Sequence, residues 1–155
     1  MQGRRDEGRD SLRREVYTGR HQIGSGAHPR VPVTAPIFEI TKAANFDAAH
    51  FLPQGPETSP YRRLHGHSFR VEATVCGPVQ APVGWVEDLA ELDTALKSIA
   101  GELDHTLLNE TPGLESPTLE RLCLYFAERL KPRFPGLSRI VLSRPTVGES
   151  CALNL

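Results

Sequence analysis

Two stretches of this sequence carry side chains suited to holding a metal or moving a proton. In "YRRLHGHSF" (61–69), His65 and His67 stand two positions apart. Positions i and i+2 of a strand face the same way, so both imidazoles can reach one point. Gly66 between them leaves room for close backbone approach. His50 closes "FDAAH" 15 residues before His65, and a hairpin between the two strands would bring it alongside. Three neutral imidazoles with an open fourth position make the arrangement of a catalytic zinc site. The simpler alternative is two exposed histidines on a wet strand face, because a His-x-His pattern recurs by chance.

The second stretch is "ELDHTLLNE". Asp104 followed by His105 offers an imidazole with a carboxylate close enough to orient it, a general acid/base pair. The alternative is an aspartate that only solvates a helix end. Trp85 and Asp88 in "GWVEDL" read as a buried anchor and a helix start. Arg62 and Arg63 read as solvated loop charges, with anion binding as the other option.

The elements that must position these residues follow from periodicity. "IFEITKAANFDAAH" (37–50) begins as a strand, with Phe38 and Ile40 on one face. "SFRVEATV" (68–75) alternates Phe69, Val71, Ala73 and Val75 against Arg70, Glu72 and Thr74, which predicts a strand with one wet face. "GPVQAPVG" is a loop. Leu89, Leu92, Leu96, Ile99 and Leu103 recur at helical spacing. A second helix is expected from an N-cap at Ser116, with Pro117 at its first position and Glu120 in its first turn. Its apolar stripe is Leu119, Leu122, Cys123, Phe126 and Leu130, and "KPRFPGL" ends it. "SRIVLSR" (138–144) and "CALNL" (151–155) close the chain as strands around the turn "PTVGE". The order β-β-α-α-β-β predicts an α+β subunit, an antiparallel four-stranded sheet with both helices on one face. The open edges of such a sheet need cover or partners, so self-association is expected.

Bulk properties narrow the class. The 155 residues suit one domain with a real core. With 18 basic and 19 acidic side chains the net charge is -1, which points away from nucleic acid and from anionic membranes. No apolar run approaches the roughly 20 residues of a membrane span. The cysteines Cys76, Cys123 and Cys151 are odd in number and widely spaced, the pattern of reduced thiols in a cytoplasmic protein. Residues 1–35 mix charges of both signs and then turn rich in glycine and proline. They read as a flexible extension with one helical turn near Leu12 and Val16, and neither as a secretory signal nor as a transit peptide. The folded domain is expected at 36–155.

Taken in order, "FDAAHFLP", "LHGHSF", "GWVEDLAEL", "LDHTLLN" and "PGLESPTLE" closely resemble the 6-pyruvoyl-tetrahydropterin synthase / 6-carboxy-tetrahydropterin synthase family over about residues 37–151. The resemblance implies zinc held by His50, His65 and His67. It also implies the tunnelling fold, in which trimers close a β-barrel and stack into a hexamer with active sites between subunits. The implied substrate is a small molecule such as 7,8-dihydroneopterin triphosphate. Asp104 and His105 would handle protons. A cysteine ahead of the HGH and a glutamate in the third strand that grips the pterin complete the family's set.

Both of those last residues are replaced. Tyr61 stands at the cysteine position, where it either shuttles a proton or only fills space. With a free pKa of about 10, a tyrosine needs nearby cations to serve as a base. Arg144 stands at the glutamate position. A guanidinium offers no acceptor to the donor edge of a pterin, but it suits a carboxylate or phosphate. A shifted loop would let Glu149 take over as anchor. Thr118 joins Arg144 and Glu149 among the expected substrate-binding positions.

Three functional readings follow. The first is a zinc-dependent lyase or cyclase with an altered substrate or reaction, an α-hydroxy-carbonyl compound undergoing aldol-type cleavage, isomerisation or cyclisation. The second is an ordinary 6-carboxy-tetrahydropterin synthase, and the third a non-catalytic ligand-binding homologue.

Overall fold

The computed structural model describes residues 35–155. The reading of residues 1–34 as an extension with a helical turn lies outside the described residues. Four strands form one antiparallel sheet in the order β1-β2-β3-β4: β1 (Phe38–His50), β2 (His65–Gly77), β3 (Leu137–Arg144) and β4 (Glu149–Asn154). Between β2 and β3 the chain builds two helices, α1 (Leu89–Leu103) and α2 (Leu119–Leu130). This is the α+β, β-β-α-α-β-β subunit that the periodicity predicts.

Alternation decides which face the helices cover. Ala44, Phe46 and Ala48 of β1, Phe69, Val71, Ala73 and Val75 of β2, and Ile140 and Leu142 of β3 are all buried. They meet Leu92, Leu96, Ile99 and Leu103 of α1 and Leu122, Cys123, Phe126 and Leu130 of α2. Each fully buried leucine in this layer contributes roughly 1.5–3 kcal/mol. Thr74 departs from the expected wet face. It is buried, and its hydroxyl shares a 2.8 Å hydrogen bond with that of Thr41, its cross-strand partner.

Helix starts follow their caps. Asp88 caps α1, its carboxylate accepting from Ala90 N–H at 2.7 Å, which satisfies a donor the helix itself leaves unpaired. Leu89 lies one residue past this cap and stays exposed, outside the buried stripe. The second helix begins later than expected: Thr118, not Ser116, is the N-cap, its hydroxyl accepting from Arg121 N–H at 3.2 Å. Pro117 therefore precedes the helix, where its ring disfavours helical geometry in Ser116. Trp85 is 50% exposed rather than a buried anchor. A short bridge from Gln80 to Trp85 turns the next residue, Val86, into the core instead. The last strand starts at Glu149, two residues before "CALNL", because Gly148 takes a left-handed φ of 70° and reverses the chain after Pro145–Val147.

Candidate metal centre and active site

His50 and His65 are direct partners in the β1–β2 ladder, and His67 faces the same side two residues on. Gly66 makes this pairing feasible, since a Cβ there would lie 3.3 Å from the Ala48 carbonyl oxygen. Ring centroids stand 4.5 Å apart for His50–His65, 5.2 Å for His50–His67 and 5.0 Å for His65–His67. One ligand atom of each lies within 4.8 Å of the other two. The rings continue the buried face of β2, with Phe69 as their floor, 5.9 Å from His50 and 5.8 Å from His67.

Hydrogen bonds orient two of the rings. The Nδ1 atoms of His50 and His65 lie 3.1 Å from the Pro117 carbonyl and 2.7 Å from the Arg63 carbonyl. A carbonyl only accepts, so each Nδ1 carries the proton and each Nε2 keeps a lone pair. Only 2% of His50 is exposed, and its Nε2 has no hydrogen-bond partner among the described residues. Burial, then the neighbouring His65, push its pKa down to about 4. Burial, followed by Arg144 and His65, also lowers that of His67. Converging imidazoles around an orphaned buried nitrogen fit a divalent cation.

The His50 ring opens into a cavity of about 260 Å³ lined also by Tyr61, Thr118, Glu120, Arg144 and Cys151. Tyr61 sits on the single turn Pro60–Arg62, 52% exposed, its ring centroid 6.5 Å from that of His65. Its carbonyl accepts from Leu52 N–H at 2.8 Å, which ties the turn to the end of β1. Arg62 donates to the Gly55 carbonyl and remains exposed.

Arg144 shares the buried face of β3 with Ile140 and Leu142, and this alternation carries its guanidinium to the histidines. Its Nη1 donates to His67 Nε2 at 3.1 Å, and it pairs with the Glu149 carboxylate. Glu149 is its register partner on β4.

Asp104 and His105 follow α1 and open elsewhere. His105 lines a second cavity of about 670 Å³ together with Asp47, Gly66, His67 and Ser68. Asp104 accepts from Asp47 N–H at 2.8 Å and from His105 Nδ1 at 2.8 Å, while His105 N–H donates to the Asp47 carbonyl at 2.7 Å. His105 has a left-handed φ of 56°, a conformation that costs a non-glycine residue energy and is concentrated at functional sites. The hydrogen bond and the charge of Asp104 raise the His105 pKa. The bond from Asp47 N–H, then that from His105, lower the pKa of Asp104. Because Asp104 engages Nδ1, Nε2 is the nitrogen left to exchange a proton, and 81% of the side chain is exposed.

Within one subunit, Tyr61, Thr118 and Arg144 thus share a cavity with His50, while the Asp104–His105 pair does not line it. Glu120 and Cys151 were not among the expected site residues. Glu120 follows the cap Thr118 by two positions in "PTLE", a signal visible in the chain. Cys151 enters the cavity only through the β3–β4 register, which no local pattern reveals.

The site thus sits on a four-stranded antiparallel sheet backed by two helices, with a histidine triad at one end. The sequence pattern of the family described as 6-pyruvoyl tetrahydropterin synthase matches residues 39–154, and the chain belongs to that family. It is 34% identical over 97 residues to the dihydroneopterin monophosphate aldolase of Pyrococcus furiosus, covering 63% of this chain and 78% of that one. Against a 6-carboxy-5,6,7,8-tetrahydropterin synthase of Synechocystis it is 37% identical over 107 residues, covering 65% and 81%. The fold matches that of Caenorhabditis elegans 6-pyruvoyl tetrahydropterin synthase with a TM-score of 0.69 and 21% identity, over 78% of this chain and 97% of that one.

Proposed function

We propose that this chain is a zinc-dependent lyase that cleaves a carbon–carbon bond in the hydroxylated side chain of a reduced pterin by aldol-type chemistry. The observation that carries this reading is a metal-competent histidine triad, one of whose rings, His50, lines a cavity with Tyr61 and Arg144, where the family's thiol and pterin-gripping carboxylate are expected. The similarity to an aldolase acting on dihydroneopterin monophosphate supports the same reaction class.

In such a cleavage a base takes the proton from a side-chain hydroxyl, and the carbon–carbon bond beyond it breaks. The electron pair passes into the reduced ring system, the hydroxyl carbon leaves as an aldehyde, and an acid returns a proton to the remaining carbon. His50, His65 and His67 would hold zinc, which as a Lewis acid stabilises charge on substrate oxygens. Tyr61 stands beside the triad to exchange a proton, and His105, oriented by Asp104, offers a second proton carrier. Because that pair does not line the cavity of His50, Tyr61 and Arg144 in its own subunit, the reading includes a trimer or hexamer with active sites between copies. It also places the protein in the cytoplasm, consistent with three free cysteines. No helix among the described residues is long and apolar enough to cross a membrane.

A second reading, an ordinary 6-carboxy-tetrahydropterin synthase, is favoured by the 37% identity to the Synechocystis enzyme and by Glu120, a carboxylate in the cavity able to accept from a pterin's donor edge. Product analysis after incubating the zinc-loaded protein with 7,8-dihydroneopterin, its monophosphate and its triphosphate separates the two. Release of glycolaldehyde or its phosphate ester, abolished by a chelator, is expected. Faster triphosphate elimination would overturn the aldol reading in favour of the synthase.

A further inference from the structure

Arg144 occupies a position that its own hydrogen bonds do not fully use. Nη1 donates to His67 Nε2 at 3.1 Å, Glu149 takes the other end of the guanidinium, and Nε is buried with no partner among the described residues. The side chain is only 14% exposed and lines the 260 Å³ cavity beside His50. Glu120 and Thr118 line the same cavity. A buried guanidinium that lines a cavity and keeps its Nε donor unpaired is suited to a planar or tetrahedral oxyanion, which it can hold by a forked contact once an Nη donor is released.

His67 supplies the second half of the argument. His50 and His65 both spend Nδ1 on carbonyls and keep Nε2 free. The Nε2 lone pair of His67 is the one of the three that is taken, and Arg144 takes it. A cation and a guanidinium cannot share one lone pair, and two positive groups repel at this distance.

We infer that Arg144 is the oxyanion-recognition residue of this site, freed to hold a phosphate or carboxylate group of the substrate when His67 gives its Nε2 lone pair to the metal. This rests on the reading of the histidine triad as a metal centre. Metal and anion then bind in order: the metal displaces Nη1, Glu149 keeps the guanidinium tethered, and the released donors turn to the anion. The arrangement selects a pterin carrying an anionic substituent over a neutral one.

The test is calorimetric titration of inorganic phosphate, and separately of acetate, into zinc-loaded and chelator-treated protein. It uses the wild type, Arg144→Lys and Arg144→Met, with zinc affinity measured for all three. Phosphate should bind zinc-loaded wild type and bind about tenfold or more weakly once zinc is removed. Arg144→Lys, which keeps the charge but loses the fork, should weaken phosphate binding by about tenfold, and Arg144→Met by more. Zinc should bind Arg144→Met several-fold more tightly than wild type, because no hydrogen bond to His67 need be broken. Whichever of phosphate and acetate binds more tightly names the anionic group. Undiminished phosphate binding by zinc-loaded Arg144→Met would place the anion on the metal alone and overturn the inference. Equal phosphate binding by metal-free and zinc-loaded wild type would remove the ordered release. Zinc uptake without phosphate binding sinks this inference and leaves the metal centre standing, whereas absence of zinc uptake sinks both.

Discussion

His50 and His65 face each other directly across the β1–β2 ladder, with ring centroids 4.5 Å apart. Their Nδ1 atoms point to carbonyls from different segments, Pro117 ahead of α2 and Arg63 ahead of β2. The pair is therefore fixed by three parts of the chain before any metal arrives. Such preorganisation predicts tight, stoichiometric binding. Elemental analysis of the purified protein should find one zinc per chain, falling to near zero in His50→Ala and His67→Ala. Equal zinc in all three proteins would mean that the ion binds elsewhere.

Acid sensitivity of the metal-free protein follows from His50. Folded, its pKa is lowered from 6.5 to about 4, so the unfolded chain binds the proton more readily. The contribution to stability is complete above about pH 6.5 and is lost as pH falls toward 4, on the order of 3 kcal/mol. Chelator-treated wild type should lose denaturation midpoint steadily across that window, and His50→Asn should lose much less. Parallel curves for the two proteins would exclude His50 as the cause.

Asp104 holds His105 in its protonated form to higher pH than usual. In Asp104→Asn the imidazole should titrate nearer its ordinary 6.5, with turnover falling roughly a hundredfold, the usual scale for a misplaced acid–base group. Proton NMR of the His105 ring reads the first effect. An unmoved titration curve would separate Asp104 from His105 despite their 2.8 Å contact.

Tyr61 and Arg144 are expected to define the reaction together. Tyr61→Phe should retain zinc and lose about a hundredfold in turnover if its hydroxyl carries a proton. Combining Tyr61→Cys with Arg144→Glu should shift the protein toward 7,8-dihydroneopterin triphosphate more than either change alone. Wild-type protein that already processes the triphosphate efficiently would contradict the altered-reaction reading.

Both β1 and β4 are edge strands of the sheet. Their unpaired backbone groups are a template for association, and within one subunit the Asp104–His105 pair does not line the cavity that holds His50, Tyr61 and Arg144. Light scattering is expected to report a hexamer, with the trimer as its building unit. A stable 17.1 kDa monomer that still turned substrate over would refute the shared active site.

Much of this protein is readable from the chain alone, because its signals are local. Alternation in "SFRVEATV" and the leucines of α1 follow from one strand or helix burying one face. The His-x-His spacing fixes a shared direction for two imidazoles by pleat geometry alone. The late start of α2 was only partly legible: Ser116 and Thr118 are both good caps, and the docking of Pro117 against His50 accompanies the choice of the second. Trp85 misleads because a large apolar residue suggests burial, whereas the Gln80–Trp85 bridge turns its neighbour Val86 inward. Three relationships belong to the tertiary structure alone: Arg144 on His67, Cys151 in the cavity beside His50, and His105 in a second cavity with His67. Each depends on which strands pair and in what register, and a register joins residues far apart in sequence without leaving a mark on either.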